Sequence, residues 1–153
     1  MTGRVVGIYT APEPHAPTAP VERVRVLAGR GPEGDRYFRP DGTEPNEPGT
    51  GHDLTLIEAE AVEALKAETG IELEPGEARR NVVTRGIDLN ALVGQTFRVG
   101  DVRCVGVEPC DPCRDLERMT KPGVLKGLVG RGGLSVDVVR SGEIAVGDAV
   151  EPV

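Results

Sequence analysis

Aromatic side chains are scarce in this chain of 153 residues: two Tyr, two Phe and no Trp, 3% in all. Beside 21 Gly and 13 Pro, that scarcity predicts many turns between short strands rather than long helices. Positive charge is short as well. Eighteen Lys and Arg against 25 Asp and Glu leave a net charge of −7, which argues against nucleic acid as a partner and confines anion recognition to local patches. No apolar run approaches a membrane span, and Met1 to Tyr9 lacks the apolar stretch of an export signal. Only three Cys are present. With no export run they suggest a reducing, cytoplasmic setting and a protein that works without a membrane. No flavin, haem or iron–sulfur motif and no solenoid repeat is present. Gly29 to Phe38, GRGPEGDRYF, is glycine-rich but lacks the Gly-Lys-Ser/Thr ending of a phosphate loop and leads into no helix.

What is present is concentrated. The length suits one domain over residues 1–153 with a real core. Fifteen of the 18 cations are Arg, clustered at Arg79, Arg80 and Arg85 and at Arg114, Arg118 and Arg131. Arginine forms planar, bidentate contacts with phosphate and carboxylate, although each one singly reads as an exposed ion pair. The stretch Val105 to Met119, VGVEPCDPCRDLERM, places two thiols, Cys110 and Cys113, at a change of backbone direction. Val102 to Val107 is rich in β-branched residues and reads as a strand, stopped at Glu108-Pro109. Asp111 is a good N-cap and Pro112 suits the first helical position, so Cys113 is expected in the first turn of a short helix. There the unpaired N–H groups and Arg114 favour an anionic sulfur that can attack, carry sulfane sulfur or bind a soft metal. A thioredoxin-like pair would precede a long helix in a βαβ unit, and a structural zinc site would need ligands beyond Cys104, His15 and His52; neither fits well.

Along the chain, Val5 to Tyr9 and Val21 to Ala28 read as strands, separated by a proline-rich loop that carries His15 as a surface residue. Arg39 to Gly51 is polar and proline-rich, a mobile surface loop able to act as a lid. Asp53 to Ile57 is a strand, and Glu58 to Glu68 a helix whose apolar face is Ala61, Val62 and Leu65, stopped by Gly70. Leu73 to Gly76 is a turn, and Arg79 to Thr84 a strand that begins with charged groups. Thr96 to Val107 reads as a hairpin about Gly100-Asp101. Pro122 to Leu128 is a second short helix, and Leu134 to Val139 and Glu143 to Val146 are strands joined at Ser141-Gly142. Cys104 lies inside a strand and is expected to be a buried filler. Seven or eight short strands with few helices and uneven connections predict a mainly β domain, a closed or nearly closed barrel.

In this order the pieces resemble the MOSC domain, the module at the C-terminus of molybdenum-cofactor sulfurases that also occurs as small free-standing bacterial proteins. GPEGDRYF looks like the family's G-x-x-G-D-R-H turn, LTLIEAEAVEAL like its strand and helix, and LEPGEARRNVVTRGIDLNALVGQTFRVG like its Pro-Gly, Arg/Asn and Gly-Asp-Leu series. EPCDPCRDLE looks like its cysteine signature and GLSVDVVRSGEIAVGDAV like its final hairpin. The resemblance implies a MOSC-type β-barrel whose signature cysteine, aligned with Cys113, carries a sulfur atom or ligates molybdenum in a bound molybdopterin. It also implies that Arg79 and Asn81 hold the pterin, with Arg36 and Arg114 assisting.

Two functions follow from the resemblance. In the first, the chain binds the molybdenum cofactor and reduces small N-hydroxylated compounds with electrons from a separate electron-donor protein. In the second, Cys113 holds a persulfide received from a cysteine desulfurase, and Cys110 releases the sulfur; pyridoxal phosphate would belong to the desulfurase and is not expected here. A third option is a barrel that binds a ligand or metal without catalysis. The chain departs from the family pattern at Tyr37, where many members have His, at Cys110, which is not common to all members, and in lacking the N-terminal extension of the larger reductases.

Overall fold

Alternating burial along Gly3–Thr10 (β1), Thr96–Val99 (β7) and Val102–Pro109 (β8) marks strands with one face turned inward. A computed structural model, which describes residues 1–153, arranges these with Leu54–Glu58 (β5), Val82–Arg85 (β6), Leu134–Arg140 (β9) and Ala149–Pro152 (β11) into a ring. Its order is β1-β11-β7-β8-β9-β5-β6 and back to β1, so seven strands close on themselves and leave no free edge. Six of the seven neighbours are antiparallel. The exception is β5 beside β6, a parallel pair. Ala19–Pro20 (β2) adds a short flap to β1, and Arg23–Leu27 (β3), Gly31–Pro32 (β4) and Gly142–Ala145 (β10) form a small separate sheet.

Nineteen buried residues fill the barrel, among them Val5, Leu54, Leu56, Phe97, Val136 and Ile144. Cys104 is one of them, fully buried as expected of a filler. A second cluster of 11 packs outside the wall, where a parallel connection must pass. That connection is the helix Ala59–Thr69 (α1), whose Ala61, Val62 and Leu65 are buried and which ends at Gly70 in the left-handed conformation (φ 77°). Leu116 from Arg114–Met119 (α2) and Val124 from Val124–Gly127 (α3) complete this outer core.

Three expectations need correction. Leu134–Arg140 and Gly142–Ala145 do not form a hairpin: β9 lies between β8 and β5, while β10 pairs with β3. The strand expected from Arg79 begins only at Val82, because Pro75–Ala78 forms a 3-10 turn capped by Arg79 at φ 62°. The Arg39–Gly51 segment is tied down. Arg30 donates from one nitrogen to the carbonyls of Arg39, Pro40 and Thr43, and the Gly49 and Gly51 N–H groups donate to Asp137.

Candidate functional site

Strand β8 ends at Pro109, and the chain turns across the barrel rim as Cys110-Asp111-Pro112-Cys113. The turn is held by hydrogen bonds to its backbone and to the neighbouring Gly132-Gly133 carbonyls. The Cys110 N–H donates to Gly133 O at 2.8 Å, and Arg80 donates from Nε to Gly132 O (2.9 Å) and from Nη2 to Cys110 O (3.3 Å) and Asp111 O (3.2 Å). Gly132 is required by this contact: a Cβ there would lie 2.4 Å from Cys110 O.

Helix α2 starts one residue after Cys113, so Cys113 is the N-cap itself rather than a first-turn residue. Its Sγ accepts the Leu116 N–H at 3.4 Å, doing what Ser or Asp oxygens do at other helix starts. Asp111 does not cap. Cys113 is exposed, Cys110 half-buried, and all three cysteines are free.

Cys113 shares a cavity of about 160 Å³ with Arg36, Arg79, Arg80, Asn81 and His52. The structure therefore brings together four of the expected residues; Arg114 is exposed and lines neither this cavity nor the next. Cys110 lines the neighbouring cavity of about 680 Å³, whose walls include Arg36, Tyr37, Phe38, Arg39, His52 and Arg80. No Asp or Glu contributes to that second wall, although carboxylates outnumber cations in the chain.

The carboxylates around Cys113 are engaged. Asp35 accepts from Arg36 Nη1 (3.0 Å) and the Ala11 N–H (3.1 Å), and the Asp35–Arg36 side chains are 2% and 7% exposed. Asp53 accepts from Asn46 Nδ2 and the Val138 N–H, both at 2.8 Å. Asp115 meets His15 Nε2 at 2.8 Å. Three carboxylates and three arginines, Arg36, Arg79 and Arg80, therefore line the cavity together, with the carboxylates already held by other donors. Arg36 spends its donors on position: Nη2 donates to Arg79 O at 3.2 Å, and its Cζ lies 4.7 Å from the Tyr37 ring centre. Burial and, next, the charge of Arg36 push the Arg79 pKa below its ordinary value, and Arg79 Nη1 donates to Ala16 O at 2.6 Å.

Asn81 is 6% exposed and its amide is largely occupied. Oδ1 accepts from Thr55 N and Oγ1, and Nδ2 donates to Tyr9 O at 3.4 Å, so it stitches β5 to β1 behind Cys113. His15 and Arg79 are the two non-glycine residues at positive φ. Such conformations cost about 1–2 kcal/mol each and mark places the surroundings must hold. From the sequence, Arg80 stood out only as one of an arginine cluster and His52 only as an ill-fitting zinc ligand, and Asp35 was given no role. The adjacency of Asp35 and Arg36 at the end of a glycine-rich turn was the available signal.

The family model described as "MOSC domain" matches residues 45–151. The chain belongs to the MOSC domain family. MOSC domains are associated with molybdenum-cofactor binding. Among solved structures, this MOSC domain is similar to the YuaD protein of Bacillus subtilis (19% identity, TM-score 0.81, 99% of this chain and 96% of that one). YiiM from Geobacillus stearothermophilus (16%, TM-score 0.74, 99% and 75%) and YiiM from Escherichia coli (20%, TM-score 0.72, 100% and 70%) share its fold too. No curated protein matches it in sequence. No helix is long and apolar enough to cross a membrane.

Proposed function

We propose that this MOSC domain binds a molybdenum cofactor with Cys113 as the protein's ligand to the metal and that the loaded protein would reduce N-hydroxylated small molecules. One observation carries the reading: a solvent-reachable thiol and several guanidinium groups face one cavity. No three His, Cys, Asp or Glu side chains converge as a metal-holding cluster, so a metal here must arrive with ligands of its own. A sulfur-rich, phosphate-bearing cofactor meets that condition, because a soft thiolate suits such a metal and arginine suits the phosphate. The residues present fit the group.

Cys113 would supply the sulfur ligand, and Arg79 and Arg80 would supply cationic donors for the phosphate. Arg36 holds Arg79 through its carbonyl, and Asn81 fixes the strand start behind them and keeps one amide hydrogen for the pterin edge. When bound, the cofactor would supply two-electron redox chemistry, with electrons from a separate donor protein. The 680 Å³ cavity is of small-molecule size. His52, exposed between the two cavities, would be the proton donor to an oxygen leaving a substrate held there. Protein expressed in a host with an intact cofactor pathway should hold about one molybdenum per chain, lost in Cys113→Ala. Metal-free wild-type protein from that host overturns the reading.

A second reading is favoured by the position of Cys110, free and half-buried beside the neighbouring cavity. Cys113 would take sulfane sulfur from a cysteine desulfurase as a persulfide, and the Cys110 thiolate would attack the inner sulfur, forming a Cys110–Cys113 disulfide and releasing hydrosulfide. Anaerobic incubation with a desulfurase and cysteine should add the mass of one sulfur atom at Cys113; an unmodified Cys113 rules this out.

A further inference from the structure

Strand pairing places Arg98 opposite Arg103 and Arg103 opposite Arg140, so three guanidinium groups lie side by side across β7, β8 and β9. Like charges directly opposite on one sheet face repel. At one end of the row the charge is met, since Arg98 donates from Nε and Nη2 to Glu151 Oε1. Arg103 and Arg140 form no ion pair and no side-chain hydrogen bond, and both are exposed. Two adjacent arginines of this acidic chain thus have no carboxylate partner.

The three arginines wall a depression of about 330 Å³ with Gly100, Asp101 and Ser141, and no apolar side chain lines it. Ser141 Oγ accepts the Ala28 N–H at 2.8 Å, which leaves its hydroxyl hydrogen free to donate. Asp101 opposes an anion, yet it pairs with none of the arginines. The depression sits at the start of β8, while the cysteine turn follows its end. At a strand rise of about 3.3 Å per residue the two are roughly 20 Å apart, so this is separate from the site already described.

We propose that the depression binds the phosphate or pyrophosphate group of a small molecule, taken by the forked donors of Arg103 and Arg140 with the Ser141 hydroxyl as a further donor. Its all-polar walls recognise charge and leave the rest of the ligand in solvent. A nucleic acid is disfavoured: two free arginines in a chain of net charge −7 fall well short of the 6–10 or so phosphate contacts of a duplex-binding surface.

The test is an NMR titration of the full chain with inorganic pyrophosphate at constant ionic strength, following backbone amides. Saturable shifts at Gly100, Asp101, Ser141 and Gly142 are expected. Arg103→Gln and Arg140→Gln should each weaken binding roughly tenfold or more, and Asp101→Asn should tighten it. All three positions are exposed, so the variants should fold. Shifts that stay linear with concentration, that cluster instead at Arg79–Asn81 and Cys110–Leu116, or that persist unchanged in Arg103→Gln/Arg140→Gln overturn the proposal.

Discussion

Replacing Arg80 by Lys should open the cysteine turn while leaving the barrel closed. Lysine keeps the charge but not the fork, so the three carbonyls of Gly132, Cys110 and Asp111 can no longer be met together. A hydrogen bond involving a charged group contributes about 1.5–3 kcal/mol. Two of these are long, at 3.2 and 3.3 Å, and one is exposed, and lysine restores one of the three; a net loss of about 2 kcal/mol is the reasonable figure. That corresponds to a roughly 30-fold rise in the open population of the turn. The Cys110 N–H, protected by Gly133 O, reports it directly. Native-state hydrogen exchange should show protection of that amide falling roughly 30-fold, while the amides of Val136 and Val138 in β9 keep wild-type rates. A drop below about threefold, or an equal drop at the β9 amides, would refute the idea that Arg80 is a local brace.

Burial raises the pKa of Glu58, helped by Asp88 and Glu60 and opposed by the Leu89 N–H. The folded chain therefore binds more protons than the unfolded one across that window, and stability falls as pH rises through it. Glu58→Gln keeps an acceptor for Leu89, so in urea unfolding it should be more stable than wild type at neutral pH, with the difference vanishing on acidification below the ordinary carboxylate range; a pH-independent difference would contradict this. Burial and then Asp53 push the Cys104 thiol well above its ordinary pKa. Iodoacetamide on native protein should label Cys110 and Cys113 only, with the third adduct appearing on denaturation; native labelling of Cys104 would show the barrel interior to be open. A Cβ at Gly106 would lie 2.1 Å from the Leu92 carbonyl oxygen, so Gly106→Ala should cost about 3 kcal/mol in chemical denaturation, and an unchanged midpoint would mean the Leu92 turn yields freely.

Elements whose signal is local were legible in the sequence. Helix α1 carries its apolar face and its glycine stop within a dozen residues, and the β7–β8 hairpin announces itself through Gly100-Asp101. The cysteine helix was displaced by two residues because the sulfur, rather than the better capping group of Asp111, takes the exposed N–H. The β9–β10 hairpin failed for a different reason: strand pattern says that a segment pairs, not with which partner, and β10 finds β3 more than 100 residues away. Arg39–Gly51 looked loose because its restraints, Arg30 and Asp137, lie outside it. Among the residues lining the candidate cavity, Cys113, Arg79 and Asn81 were marked by the motif resemblance. Arg80 and His52 were not, since nothing in their neighbours distinguishes an arginine that braces a turn from one that waves in water.

A ring of alternating up and down strands can close only if their number is even. Seven is odd, so somewhere two neighbours must run the same way, and here that pair is β5 and β6. Same-direction neighbours cannot be joined by a tight turn; the chain has to travel back outside the wall, through α1 and the Pro75–Ala78 turn, before it re-enters. Arg79, Arg80 and Asn81 are the re-entry. The cationic half of the cavity thus sits where the parity of the barrel forces the chain to return, and adding or deleting one strand would remove the detour that delivers it.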